Sequence, residues 1–172
     1  MTRQEITQFY QEHHRRLYNI SLRILRNSDE AEEVMQDTIM KFVSAPQQTF
    51  GSGAQVSAWL ARTCIRASID RLRKRHREEA FLEDYAMMEG DDPDASTDPS
   101  FAGSTGESPL PSISRVRDTM DRMPEPYRLV LSLVLIEGLD YSEIAEMTGR
   151  KQTTLRSIYS RGLDKLRAML RS

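Results

Sequence analysis

The side chains that enzymes use for catalysis are few in this sequence. His13, His14 and His76 have no cysteine or carboxylate at the spacing of a metal site. Cys64, the one cysteine, stands on an apolar stripe, where a core position is expected rather than redox chemistry. Neither a glycine-rich phosphate loop before a helix nor a nucleophile motif is visible. The sequence therefore predicts a protein without a catalytic site, a metal or a cofactor.

Basic side chains offer another chemistry, the binding of phosphates. One run, Arg71 to Arg77, ends a predicted helix, and Phe50 and Trp59 precede it. Aromatic rings can stack on unpaired bases, so this arrangement favours a contact with single-stranded nucleic acid. The alternative is a solvated basic face with Trp59 anchored in the core.

A second basic set lies near the C-terminus, where Arg156, Ser157 and Arg161 occupy a predicted helix from about Gln152 to Leu170. A short helix starting at Tyr141 precedes it, and Gly149 can supply the positive φ of the turn between the two. This is the helix-turn-helix pattern, with Ser/Thr and Arg available for the major groove. A helical hairpin with a solvated basic face is the alternative. Ile144, Ala145, Leu155, Ile158 or Tyr159, and Leu163 are expected to face inward.

The charge distribution supports a polyanionic partner. Lys and Arg number 24 against 26 Asp and Glu, a net charge of −2. Residues 78–114 contain no Lys or Arg but ten acidic residues, which leaves 24 basic against 16 acidic residues, a net of +8, for the flanks. The sequence thus predicts two basic modules joined by an acidic segment.

The elements that must position these residues are all predicted to be helical, in two small domains. Residues 1–77 form the first, residues 78–112 a flexible acidic linker, and residues 113–172 the second. In the first domain, Asn27-Ser28 caps an acidic helix, a polar loop spans residues 45–56, and Ser57 caps a third helix to about Arg77.

These segments resemble the bacterial extracytoplasmic-function (ECF) sigma factors, which are sigma-70-type proteins. The resemblance is carried by DEAEEVMQDTI and VSAWLARTCIRASIDRLRKR in the first domain. In the second domain it is carried by MPEPYRLVLSLVLIEGLDYSEIAEMTG and TTLRSIYSRGLDKLR. Both sets occur in the family's order and cover nearly the whole chain except the linker.

The resemblance implies a protein that binds core RNA polymerase and directs promoter recognition and transcription initiation. The implied polymerase-binding residues are Glu33, Gln36 and Asp37. Those for the downstream promoter element are Phe50, Arg62, Arg66, Arg71, Arg73 and Lys74, and those for the upstream element are Arg156, Ser157, Ser160 and Arg161. Three departures from the family bear on promoter recognition. Arg66 stands where the family commonly has Asn, and Gly162 stands where it usually has Ala. Ile158 stands where the family usually has an Arg, which removes an expected phosphate contact.

Two other functions remain open: a self-contained helix-turn-helix regulator, and a sigma mimic that binds a regulator but not DNA. An anti-sigma partner is also left open. A single cysteine excludes an intramolecular disulfide, and neither a signal peptide nor an apolar run of membrane-spanning length is present, so a cytoplasmic protein without membrane insertion is expected.

Overall fold

The computed structural model describes residues 1–45, 50–78 and 110–171. Within these ranges every regular element is helical, and the helices form two separate units. The predicted all-α fold class is confirmed. The predicted linker, residues 78–112, falls almost wholly outside the described ranges.

Unit 1 consists of α1 (Arg3–Leu25), α2 (Ser28–Ser44) and α3 (Gly53–Glu78). Thr2 begins α1 by accepting a hydrogen bond from the Glu5 backbone N–H, while the Glu5 carboxylate accepts one from the Thr2 backbone N–H. The bond from the Thr2 backbone lowers the pKa of Glu5. Asn27 caps α2 as predicted, because its side chain accepts from the Glu30 N–H at 3.0 Å.

The start of α3 differs from the prediction. The helix begins at Gly53 rather than after Ser57, so residues 53–56 of the predicted loop form its first turn. The Ser52 hydroxyl accepts a hydrogen bond from the Gln55 N–H at 3.3 Å, and the Gln55 side chain accepts one from the Gly51 N–H at 2.6 Å. These bonds satisfy donors that a helix start otherwise leaves unpaired.

The three helices of unit 1 enclose one apolar core. Ser21 and Ser68, both fully buried, let α1 and α3 approach, and their hydroxyl oxygens lie 3.0 Å apart, within hydrogen-bond distance. Cys64 is also fully buried, as predicted, with its sulfur 3.4 Å from the Leu17 carbonyl oxygen. The large buried side chains include Leu17, Ile20, Leu25, Val34, Met35, Ile39, Leu60, Ile65, Ile69 and Leu72.

Unit 2 contains α4 (Ile113–Asp121), α5 (Glu125–Leu131), α6 (Tyr141–Thr148) and α7 (Gln152–Arg171). A π-helical turn, Ser132–Ile136, extends α5. Gly138 and Gly149 have φ of 69° and 70°, so the turns before and after α6 use the left-handed conformation that glycine adopts without strain. The predicted helix–turn–helix arrangement of α6 and α7 is present.

The inward side of α7 distinguishes the two predicted alternatives, Ile158 and Tyr159. Ile158 is buried together with Leu155 and Leu166, so its side chain packs in the core. Gly162 is buried as well, and a Cβ atom there would lie 3.3 Å from Leu131. The two departures at Ile158 and Gly162 therefore concern packing between helices.

Candidate nucleic-acid and polymerase interfaces

The exposed face of α2 carries the predicted polymerase-binding residues. Glu33, Gln36 and Asp37 are all exposed and lie on one side of the helix at i, i+3 and i+4 spacing. The opposite side of α2 is buried against α1 and α3, which holds this face rigid. Met40, one further turn along, is 56% exposed. Met40 was not among the residues predicted to bind the polymerase.

The basic residues of α3 divide between two sides of the helix. Arg62 and Arg66 are exposed and Arg73 half-buried, and their spacing of four and eleven residues places them on one side. Arg71 follows Arg62 by nine residues, two and a half turns, and lies on the other side. The six residues predicted for the downstream element therefore do not form one surface.

Arg71 and Arg75 both form contacts with the other helices of unit 1. Arg71 Nη1 lies 2.5 Å from Glu33 Oε2, so a predicted DNA-binding residue pairs with a predicted polymerase-binding residue. Arg75 forms an ion pair with Glu30 and donates a hydrogen bond to the Leu25 carbonyl oxygen at 2.9 Å. Arg75 thereby ties the C-terminal part of α3 to the end of α1 and the start of α2.

Phe50 belongs to a group of half-buried aromatic side chains. Its ring centroid lies 5.7 Å from that of Phe42 and 6.2 Å from that of Trp59. Phe42 stacks in turn on Phe9 at 4.6 Å. Trp59 is half-buried, so it is a component of this group rather than a fully enclosed core anchor.

The predicted upstream-element residues share one side of α7. Arg156 and Ser160 are exposed, whereas Ser157 and Arg161 are half-buried. Ser160 follows Arg156 by four residues and Arg161 follows Ser157 by four, so the four side chains form two adjacent rows along the helix. The guanidinium carbon of Arg156 lies 5.5 Å from the centre of the Tyr141 ring. Tyr141 had been noted only as the start of α6.

Within residues 1–45, 50–78 and 110–171, no grouping of three or more His, Cys, Asp or Glu side chains could hold a metal ion. In the same residues, no helix has the length and apolarity needed to cross a membrane.

Comparison with known proteins defines the family. Residues 9–78 match the family described as Sigma-70 region 2, and residues 113–166 match Sigma-70, region 4. The ECF RNA polymerase sigma factor SigE of Mycolicibacterium smegmatis is 30% identical over 92% of this chain and 59% of its own length. The RNA polymerase sigma factor SigV of Bacillus subtilis is 24% identical over 92% of this chain and 87% of its own.

A solved structure shares the fold. It is the sigma factor RpoE from Bartonella quintana in complex with the anti-sigma factor NepR, with a TM-score of 0.54 and 21% identity over 97% of both chains. With the matches to both sigma-70 regions, the assignment is clear: this chain belongs to the sigma-70 family of RNA polymerase sigma factors, in its ECF group.

Proposed function

We propose that this chain directs RNA polymerase to particular promoters by binding the polymerase with α2 and promoter DNA with α3 and α7. The exposed row of Glu33, Gln36 and Asp37 on a helix whose other side is buried carries the proposal. The chain supplies binding and specificity, and the polymerase supplies the chemistry. Its place of action is then the cytoplasm, with residues 1–77 and 113–172 as the two working domains.

Polymerase binding follows from the chemistry of the α2 face. Two carboxylates and an amide on a fixed helix suit a partner helix that presents arginine and lysine, because complementary charges steer the encounter and set the register. Met40 adds an exposed apolar side chain at the end of this row, and methionine is enriched at protein interfaces.

Promoter DNA would be held in two places. In unit 1, a cationic row along α3 suits the backbone of a melted strand and consists of Arg62, Arg66 and Arg73. Lys74 lies beside this row, and the aromatic ring of Phe50 belongs to the same unit. In unit 2, Arg156, Ser157, Ser160 and Arg161 would enter the major groove of the upstream element. Arg71 lies on the other side of α3, paired with Glu33, and is not part of this row.

Co-purification with core polymerase is the first test, with wild type compared with Asp37→Lys. The carboxylate row predicts a stable complex for wild type and a much weaker one for the variant. Asp164→Lys, which makes the same charge change at an exposed position of α7, is the control and should bind core polymerase normally. If the wild-type chain does not bind core polymerase, the proposal is wrong and a self-contained helix-turn-helix regulator becomes the better account.

Run-off transcription with the reconstituted holoenzyme is the second test. A promoter-dependent transcript is expected. A chain that binds core polymerase but yields no such transcript would be a sigma mimic instead. An anti-sigma partner for this chain stays a prediction, since the NepR complex belongs to the Bartonella protein.

A further inference from the structure

Tyr141 occupies a fixed position at the first turn of α6. Asp140 accepts a hydrogen bond from the Glu143 N–H at 2.8 Å, and the Glu143 carboxylate accepts one from the Asp140 N–H at 3.1 Å. This reciprocal cap holds the backbone on which Tyr141 stands. The residue is half-buried, so one part of its ring packs and another meets solvent.

The Tyr141 ring is supported from within unit 2. Its centroid lies 6.0 Å from that of Tyr159 on α7, with the ring planes at 77°, an edge-to-face contact. Tyr159 packs against the buried cluster of Met120, Met123, Leu131 and Leu166. A chain of contacts therefore connects the core of unit 2, through Tyr159, to Tyr141.

The side chain of Arg156 lies over the Tyr141 ring. Its guanidinium carbon is 5.5 Å from the Tyr141 ring centre, within the range at which a cation is attracted to an aromatic face. Arg156 is otherwise exposed, and a long exposed arginine loses much rotamer freedom when it binds a base edge. An arginine already held against a ring loses less, because a planar guanidinium lying over a ring still presents its N–H groups at the edges.

We infer that Tyr141 is a positioning residue for promoter recognition: its ring holds the Arg156 guanidinium in the orientation that meets a guanine edge in the major groove. The inference rests on the proposed function, since it requires Arg156 to contact the upstream element. Tyr141, on α6, would then affect promoter recognition without touching a base, because it acts through Arg156 on α7.

A purely structural role for Tyr141 predicts different behaviour. If the ring only fills space between α6 and α7, its loss lowers stability and affects all DNA sequences alike. Tyr127 provides the matched control, because its ring also lies 5.5 Å from a cation, Lys165 Nζ, and packs on the same core cluster. Lys165 lies outside the proposed reader set, so the Tyr127–Lys165 pair reports the structural contribution of such a contact.

The test measures binding of reconstituted holoenzyme to two promoter duplexes, one intact and one with the upstream element scrambled. Variants are Tyr141→Phe, Tyr141→Leu, Arg156→Ala, the double variant Tyr141→Leu/Arg156→Ala, and Tyr127→Leu. Thermal unfolding of each free chain separates loss of fold from loss of recognition. Tyr141→Leu should lower discrimination between the duplexes about two- to fivefold, the range of an exposed cation–π contact, and Tyr141→Phe should restore it.

The double variant decides the inference. Tyr141→Leu should cause no further loss of discrimination when Arg156 is already Ala, because the only group that it positions is gone. Additive losses, or an equal loss in Tyr127→Leu, would overturn the inference and leave Tyr141 a packing residue. The inference would also be overturned if the Arg156→Ala variant binds core polymerase normally and still discriminates between the two duplexes as well as the wild type does. Failure of the wild-type chain to bind core polymerase would instead reject the proposed function.

Discussion

Arg71 of α3 pairs with Glu33 of α2 at 2.5 Å, so one ion pair joins a predicted DNA-binding residue to a predicted polymerase-binding residue. The two side chains are 31% and 64% exposed, and exposed ion pairs contribute only about 0–1 kcal/mol. A cation on the polymerase could therefore replace Arg71 at Glu33 with little loss of free energy. Arg71 would then become available to a phosphate, and the two binding events would favour each other.

Replacing Glu33 with Gln should raise the affinity of the free chain for single-stranded DNA, because Arg71 loses its competing carboxylate. We expect a gain of up to about fivefold at low salt, measured by fluorescence anisotropy, together with weaker binding to core polymerase. Glu32→Gln is the control, since it removes the same charge from a neighbouring carboxylate that contacts Gln36. An equal gain in both variants would attribute the effect to net charge alone.

Arg75 and Lys74 are adjacent in sequence but should respond differently to truncation. Arg75→Ala should lower the free energy of unfolding by about 1–3 kcal/mol, because Glu30 and the Leu25 carbonyl lose their partner. Lys74→Ala changes an exposed side chain and should alter stability by less than about 0.5 kcal/mol while weakening DNA binding. Urea unfolding and anisotropy measure the two effects. Unchanged unfolding of Arg75→Ala would contradict its structural role.

Arg156→Ala and Arg161→Ala should each weaken binding of the upstream element by about 1–3 kcal/mol and leave core polymerase binding unchanged. Holoenzyme binding to promoter duplexes over a series of salt concentrations measures this. A smaller salt dependence with unchanged selectivity would indicate phosphate contacts rather than base contacts. Normal promoter affinity in both variants would rule them out as readers.

Gly162→Ala should slightly destabilise unit 2, although alanine favours helices by about 1 kcal/mol over glycine. The new Cβ would lie 3.3 Å from two side-chain atoms of Leu131 and 3.4 Å from Tyr127 Cβ, and overpacking of this kind costs about 1–3 kcal/mol. Thermal unfolding tests the sign. Ala168→Gly, at an exposed position of the same helix, reports helix preference alone. A higher melting temperature for Gly162→Ala would show that Leu131 yields freely.

The Tyr141 hydroxyl offers a test by pH. Burial raises its pKa above 10.0 and the nearby Tyr159 raises it further, whereas Arg156 lowers it. The folded chain thus keeps this proton after the unfolded chain has released it, so the associated stability is complete below pH 10.0 and lost as pH rises through the folded pKa. Because Arg156 lowers the pKa of Tyr141, the Arg156→Ala substitution should raise that pKa further. Near-ultraviolet absorbance measures the titration, with the Tyr141→Phe variant as the blank. A lower pKa in Arg156→Ala would contradict the contact.

Helix order and the main caps could be predicted because local chemistry determines them. Asn27 before an acidic turn and Gly149 between two periodic segments are short-range signals. The start of α3 could not be predicted in the same way, since Ser52 and Ser57 are equally suitable caps by residue type. Bonds among Gly51, Ser52 and Gln55 select the earlier start, despite a glycine in the first turn.

The candidate site was only partly predictable. Helical spacing alone separates Arg71 from Arg62 by half a turn, so that division was present in the sequence and was missed. The partners of Arg71 and Arg75 could not be inferred, because they depend on how α3 packs against α1 and α2. The spacing from Leu155 left Ile158 and Tyr159 as alternatives for the inward side, and the packing of α7 buries Ile158 more fully.

Burial of Cys64 has a practical consequence for measuring motion in unit 1. The thiol is fully enclosed and is the chain's one cysteine, so a thiol-specific alkylating reagent can modify it only when the helices around it separate. The modification rate in native buffer then reports how often this bundle opens. Comparing that rate for the free chain and for the chain bound to core polymerase shows how far the association suppresses opening, without any engineered label.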